Sequence, residues 1–168
     1  MGYCYSYIPS PVGQLKLVAR ESGLVAILWE KDDPARVRLG TMVEQPDHPI
    51  LVETRTQLGE YFAGRRQAFT IALDFEGTDF QQQVWRALLT IPFGETRTYG
   101  EIAHQIGRPT ASRAVGAANG RNPISIIAPC HRVLGSTGAL TGFAGGLAAK
   151  DHLLAHERRF AHVKMLGE

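Results

Sequence analysis

The 168-residue chain predicts two units of different class: a small α/β scaffold domain over residues 1–76, and a mainly α-helical domain with a helix-turn-helix over residues 77–168. Three observations carry this expectation. Residues 3–29 hold short alternating or apolar runs separated by Pro- and Gly-containing turns, the pattern of strands. From Thr78 onward apolar residues recur at helical spacing behind two capping-box sequences. Charge divides at the same place: residues 1–79 carry 8 Lys and Arg against 11 Asp and Glu, net −3, whereas residues 80–168 carry 10 against 5, net +5.

Taken in order, Tyr3 to Ile8 reads as a strand and Pro9-Ser10-Pro11-Val12-Gly13 as a turn. Gln14 to Val18 alternates with period two, Glu21-Ser22-Gly23 turns, and Leu24 to Trp29 reads as a more buried strand. The polar stretch from Lys31 to Pro49 predicts a loop with some helix. Ile50, Leu51, Thr54, Leu58, Tyr61 and Phe62 share a helical face that ends at Gly64, and Gln67 to Phe75 predicts another strand. Glu76-Gly77-Thr78 is the expected boundary. Thr78 with Gln81 opens a helix whose face is Phe80, Val84, Trp85, Leu88 and Leu89, stopped by Pro92. Thr98 with Glu101 opens the next, through Ile102 to Ile106; Gly107-Arg108-Pro109 breaks it. A further helix follows from about Thr110 to Ala118 and stops at Asn119-Gly120. Two short helices around a glycine-containing turn are the outline of a helix-turn-helix, although helical cores also use it. A last helix runs from Leu147 to about His156.

Composition removes several classes of function. No apolar run approaches the roughly 18 residues that a membrane span needs, and no secretory signal pattern opens the chain. Met1-Gly2-Tyr3-Cys4-Tyr5-Ser6 fits a loose myristoylation pattern, but it reads straight on into a strand. Cys4 and Cys130 allow at most one disulfide and are too few for a cysteine-rich zinc site. A reduced, cytoplasmic protein is expected. His152 and His156 stand four apart, yet without an acidic motif they read as packing or solvent-facing residues rather than metal ligands. The excess of cations in the second half, mostly arginine, suits an anionic partner.

The run from Asn122 to Val133 carries the chemistry. It places Cys130 directly beside His131, just past a short apolar, strand-like segment bracketed by Pro123 and Pro129. A thiol is a strong nucleophile only as thiolate, and a neighbouring imidazole is the usual device for making one. Adjacent side chains of a regular strand face opposite ways, so cooperation requires a turn at Cys130-His131. A buried, inert cysteine is the alternative.

Pro129-Cys130-His131-Arg132-Val133, the upstream Arg113-Ala114-Val115-Gly116 and Asn122-Pro123, and the downstream Gly145-Gly146 together resemble the O6-alkylguanine-DNA alkyltransferases, also called methylated-DNA–protein-cysteine methyltransferases. The similarity is dense from about Thr78 to Glu157. It implies direct-reversal DNA repair: a methyl or other alkyl group on O6 of guanine, and in some cases O4 of thymine, moves irreversibly to Cys130 in a single turnover. No metal, nucleotide or methyl donor is implied. His131 is the implied base, acting through a bridging water, and Glu157 holds the imidazole. Asn122 ties the helix-turn-helix to the active-site loop. The implied partner is duplex DNA entered from the minor groove by the second helix, with Arg113, Ala114 and Gly116 at the DNA. Arg113 fills the place of the flipped base. Tyr99 disfavours the unrotated phosphate and donates its hydroxyl to the guanine. The Cys130 and Val133 carbonyls receive the guanine amine, and Phe143, Ala144 and Gly145 line the pocket. A monomer is expected, with clustering along DNA left open. Phe143 stands where many relatives have tyrosine, Ala144 where some have serine or glycine, and Ser125 where some have proline; these departures bear on alkyl size. A lesion-binding protein without transfer, a helix-turn-helix regulator and a cysteine hydrolase are the competing readings. Cys130 speaks against the first.

Overall fold

The N-terminal strands form a sheet whose inner face joins the main core and whose other face buries a smaller cluster of Val18, Val25 and Ala26. The computed structural model describes residues 2–138 and 142–163. Strands β1 (Tyr3–Ile8), β2 (Leu15–Arg20) and β3 (Gly23–Trp29) form an antiparallel meander, and β4 (Met42–Glu44) adds in parallel to the free edge of β1, giving the order β3-β2-β1-β4. Cys4, Ser6 and Ile8 of β1 point inward. On the outer face Lys16 Nζ lies 4.4 Å from the centroid of the half-buried Tyr5 ring, a cation over an aromatic. Helix α1 (Pro49–Phe62) packs Leu51, Leu58 and Tyr61 into the core; His48 caps it, its Nδ1 accepting from the Ile50 amide at 3.2 Å.

Two expectations for this half are corrected. Residues 31–48 contain no helix; they hold β4 and a loop pinned by the Asp32–Arg36 ion pair at 2.7 Å, and α1 begins at Pro49. Residues 67–75 are not a strand. They touch β3 through one bridge, Leu24 to Leu73, with Leu24 N–H on the Ala72 carbonyl and Asp74 N–H on the Leu24 carbonyl, both at 2.8 Å. The reason is that the same edge of β3 is shared. Further along it, Ile27 N–H bonds the Pro123 carbonyl at 2.9 Å and Ile27 bridges to Ile124, so a second segment docks where the strand would have continued.

Both capping boxes form as the sequence predicts. Helix α2 (Asp79–Leu88) starts at Thr78–Gln81, and α3 (Tyr99–Gln105), preceded by the short strand β5 (Arg97–Thr98), starts at Thr98–Glu101. Gly107, at φ 77°, closes α3: its N–H bonds the His104 carbonyl and Arg108 N–H the Ala103 carbonyl, a Schellman ending. Helix α4 (Ser112–Gly120) then crosses α3 and packs on α2, where the Trp85 indole donates to the Ala118 carbonyl at 2.8 Å. The two-stranded pair of β5 with β6 (Val133–Leu134) lies beside them, and α5 (Leu147–Phe160) runs one turn past the expected His156.

Helix α5 is bolted to α1. His156 bonds the Tyr61 carbonyl at 2.8 Å and stacks among Tyr61, Phe62, Phe93 and Phe160, so it is a packing residue, while His152 is exposed. Gly64 ends α1 at φ 77°, with the Phe160 ring lying where a β-carbon would sit. Gly64→Ala therefore meets both backbone strain and a packed ring, and is expected to cost more than about 1 kcal/mol, read as a lower urea midpoint at unchanged slope.

Candidate active site

The apolar run before Cys130 is not extended. Ile126 has φ 74°, and residues 124–128 form a tight turn with Ile127 N–H on the Ser125 carbonyl and Ala128 N–H on the Ile124 carbonyl. Asn122 shapes that turn: its Nδ2 donates to the Ala128 carbonyl at 2.8 Å while its Oδ1 accepts from the Ile124 amide at 3.0 Å. Its side chain thus supplies pairing that a strand partner would otherwise give, which is why a β-branched sequence turns here. Cys130–Arg132 is one turn of 3-10 helix, so the side chains of Cys130 and His131 are free of the strict opposition of a strand.

Cys130 is 4 % exposed, and His131 and Glu157 are 0 % and 1 %. His131 Nε2 lies 2.7 Å from Glu157 Oε2, and its Nδ1 is buried with no protein partner. Glu157 is more than the carboxylate of a pair. Oε2 also accepts the Tyr61 hydroxyl at 2.6 Å and an Arg132 terminal N–H at 3.0 Å, and Oε1 accepts Arg132 Nε at 2.7 Å and the Gly94 amide at 3.4 Å. Burial works to raise the Glu157 carboxyl, but the charges and hydrogen bonds of His131 and Arg132 overcome it and hold it far below the usual carboxylate range. Burial lowers the His131 ring, overcoming the pull of Glu157 in the other direction. The resting ring is therefore neutral. An ionised Glu157 can only accept, so Nε2 carries the proton and Nδ1 holds the free lone pair. Burial likewise raises the Cys130 thiol, against the hydrogen bonds of Asn122 and Ser125 and the charges of Arg36 and Lys150.

Of the expected DNA-facing residues, Arg113 and Ala114 are exposed on α4. Gly116 is half-buried on the same helix, and a β-carbon there would make an ordinary contact with the Tyr99 ring at 3.9 Å. Tyr99 is half-buried at the start of α3. The pocket residues are partly brought together. Val133 is buried, and its carbonyl accepts Lys150 Nζ at 2.8 Å; the Cys130 carbonyl already accepts the Val133 amide and, at 3.4 Å, Asn119 Nδ2. Phe143, Ala144 and Gly145 are half-buried. A β-carbon at Gly145 would lie 2.6 Å from the Trp29 indole, so glycine lets the ring pack against this wall. Residues 139–141, between the cysteine loop and this wall, lie outside the described residues.

Several contributors were not singled out from sequence. Tyr61 comes from α1, where its position reads as ordinary core. Arg36 donates to the Asn122 carbonyl at 2.7 Å from a loop with no pattern of its own. Lys150 is wholly buried on the inner face of α5, in line with Leu153, Leu154 and Glu157. That spacing was a readable signal, since a lysine on the apolar stripe of a helix needs a buried acceptor. Among the described residues no group of three or more His, Cys, Asp or Glu is arranged to hold a metal ion.

Fold and site define a class: a helix-turn-helix domain that holds a buried cysteine next in sequence to a buried His-Glu pair, buttressed by a small α/β domain. Comparison with known proteins gives the family. Residues 3–75 match the ribonuclease-like domain and residues 79–159 the DNA-binding domain of 6-O-methylguanine DNA methyltransferase. A methylated-DNA–protein-cysteine methyltransferase of Mycolicibacterium paratuberculosis is 51% identical over 161 residues, covering 96% of both chains, and one of Methanosarcina acetivorans is 49% identical over 153 residues, covering 91% of this chain and 97% of the relative. The crystal structure of Mycobacterium tuberculosis O6-methylguanine methyltransferase superposes with a TM-score of 0.85 at 48% identity, covering 96% of both chains. A structure of the M. tuberculosis protein in complex with DNA gives the same TM-score, covering 95% of this chain and 94% of that one. The chain belongs to the 6-O-methylguanine DNA methyltransferase family.

Proposed function

We propose that this protein repairs DNA by taking a methyl or other alkyl group from O6 of guanine onto Cys130, once per molecule. The observation that carries the reading is the buried His131–Glu157 pair directly after the buried Cys130, inside a helix-turn-helix domain. His131 Nδ1, the ring nitrogen with a free lone pair, takes the thiol proton through a bridging water, and Glu157 stabilises the imidazolium that forms. The sulfur then bonds the alkyl carbon as the carbon–O6 bond breaks, its electron pair passing to the guanine. The Tyr99 hydroxyl donates to the ring as that charge develops, and the proton held by His131 balances the restored base. A thioether does not return the thiol, so turnover stops at one. Residues 1–76 and 77–168 divide the work, a division supported by family matches that end at 75 and resume at 79.

The target carbon lies inside the duplex, so the base has to leave the stack. In this reading α4 enters the minor groove and the exposed Arg113 takes the vacated place, with Ala114 close to the sugar-phosphate edge. O4-alkylthymine is a weaker candidate substrate, because it lacks the exocyclic amine that the Cys130 and Val133 carbonyls would receive. A cytoplasmic monomer is the proposed working form; no helix of the described residues is long and apolar enough to cross a membrane.

Arg113→Ala separates extrusion from chemistry. Unstacking costs on the order of a few kcal/mol, and a stacked guanidinium offsets part of it. Transfer from O6-methylguanine in duplex should fall roughly ten- to hundredfold, taking about 1–3 kcal/mol for the lost stack, while transfer from free O6-benzylguanine holds near the wild-type rate. Equal losses on both substrates would mean that Arg113 supports fold or pocket, and its role in flipping would have to be given up.

A further inference from the structure

Helix α4 ends against the nucleophile. Asn119, in its last turn, is 5 % exposed, and its Nδ2 donates to the Cys130 carbonyl at 3.4 Å. A carbonyl facing one end of the amide fixes that end as nitrogen, so the other end is the oxygen. Asn119 Oδ1 is buried and has no partner among the described residues. A buried acceptor without a donor is costly, and it calls for a donor that the chain itself does not provide. We propose that Asn119 Oδ1 accepts a hydrogen bond from the exocyclic amine of the flipped guanine, which makes Asn119 a specificity-determining residue beside the Cys130 carbonyl. The inference rests on Cys130 being the group that accepts the alkyl.

The acceptors at this turn can be counted. The guanine amine brings two N–H donors, and the Cys130 and Val133 carbonyls are the groups expected to receive them. A carbonyl oxygen has two lone pairs. That of Cys130 already takes the Val133 amide and Asn119 Nδ2, and that of Val133 takes Lys150 Nζ at 2.8 Å. Asn119 Oδ1 holds no donor, and it belongs to the same planar amide that touches the Cys130 carbonyl, so an amine brought to that carbonyl arrives next to it. The position is firmly held. The Trp85 indole donates to the Ala118 carbonyl at 2.8 Å, and the Asn119 carbonyl accepts the Asn122 amide at 3.2 Å. The cysteine turn is fixed from β3, where the Trp29 indole donates to the Ser125 hydroxyl at 3.1 Å. Asn119 lies six residues beyond Arg113 on the same helix, about 9 Å along its axis. One helix thus fills the vacated stack at its first turn and reads the extruded base at its last.

The test uses two free bases that differ only in the amine. O6-benzylguanine carries it and 6-benzyloxypurine lacks it; transfer to Cys130 is timed by the gain of a benzyl group in intact mass. Asn119→Leu keeps most of the side-chain bulk and removes both polar atoms. Transfer from O6-benzylguanine should slow about five- to tenfold, the worth of one hydrogen bond, while transfer from 6-benzyloxypurine stays near the wild-type rate. Asn119→Ala should narrow the ratio between the two bases in the same sense, and it decides alone if Asn119→Leu does not fold. A structural role would slow both bases together. A ratio that does not narrow, whether both rates fall or neither does, therefore overturns the proposal. Wild-type protein that gains no benzyl group from either base and no methyl from duplex would sink the repair reading and this inference with it, whereas wild-type transfer with an unchanged ratio in the variants sinks the inference alone.

Discussion

Cys130→Ser is expected to abolish alkyl transfer while lesion-containing duplex still binds. With O6-methylguanine duplex, the wild-type protein should gain one methyl in place of a hydrogen, mapped to Cys130, and then stop. The second cysteine is an internal control. Cys4 and Cys130 are both buried, and burial raises both thiols. Burial therefore cannot be what makes one of them a nucleophile. Cys4 Sγ donates to the Ala19 carbonyl at 3.3 Å within the sheet, an arrangement that satisfies a thiol and offers nothing to a thiolate. Cys130 sits beside a neutral imidazole with a free lone pair, backed by an ionised carboxylate. The methyl should thus be absent from Cys4 in the wild type and should not move there in Cys130→Ser. A serine hydroxyl in the same place holds its proton far more tightly than a thiol and is a much weaker nucleophile than a thiolate, so transfer should be lost. Repeated turnover by unmodified protein, or methyl on Cys4, would remove Cys130 from its role.

The parts of the site that were legible in the sequence are those fixed over short spans. Capping boxes at Thr78 and Thr98 act within four residues and form as read. The Cys130-His131 pair needed a turn, and Asn122 builds it from within the same segment. What could not be read is what β3 and α1 bring from far away. The edge of β3 takes two docking segments at once, so 67–75 fails as a strand although its composition suits one. Tyr61 occupies a core position of an amphipathic helix, and nothing local tells that its hydroxyl ends on a carboxylate 96 residues later. The same holds for Trp29, whose apolar ring explains its place in a strand and whose N–H does not. An N-terminal unit read as scaffold thus reaches the active site at three points: Trp29, Arg36 and Tyr61.

Glu157→Ala should both slow transfer and bring the protein close to unfolding, by about 3–5 kcal/mol, because it leaves Arg132 buried without its partner; whole domains are stable by only about 5–15 kcal/mol. Glu157 was expected from sequence to hold an imidazole. It is also the common acceptor for two elements of the second half and one of the first. A graded series separates these duties. Tyr61→Phe removes one donor and keeps the ion pair, and should cost about 1.5–3 kcal/mol, the worth of a hydrogen bond to a charged group, with transfer retained. Glu157→Gln keeps an acceptor of the same shape without the charge, so it should slow transfer by weakening the support for His131 as a base while losing less stability than alanine. The acid limb of the stability curve gives the sharpest reading. The folded carboxyl ionises far below its ordinary value of 4.5, so on acidification the unfolded chain takes up the proton first. The contribution of Glu157 is complete above about pH 4.5 and is lost progressively below it. Urea midpoints measured at falling pH should therefore decline steeply in the wild type and less steeply in Glu157→Gln. Parallel declines would mean that other carboxylates drive acid unfolding, and that the cluster of Tyr61, His131 and Arg132 around Glu157 does not depend on its charge.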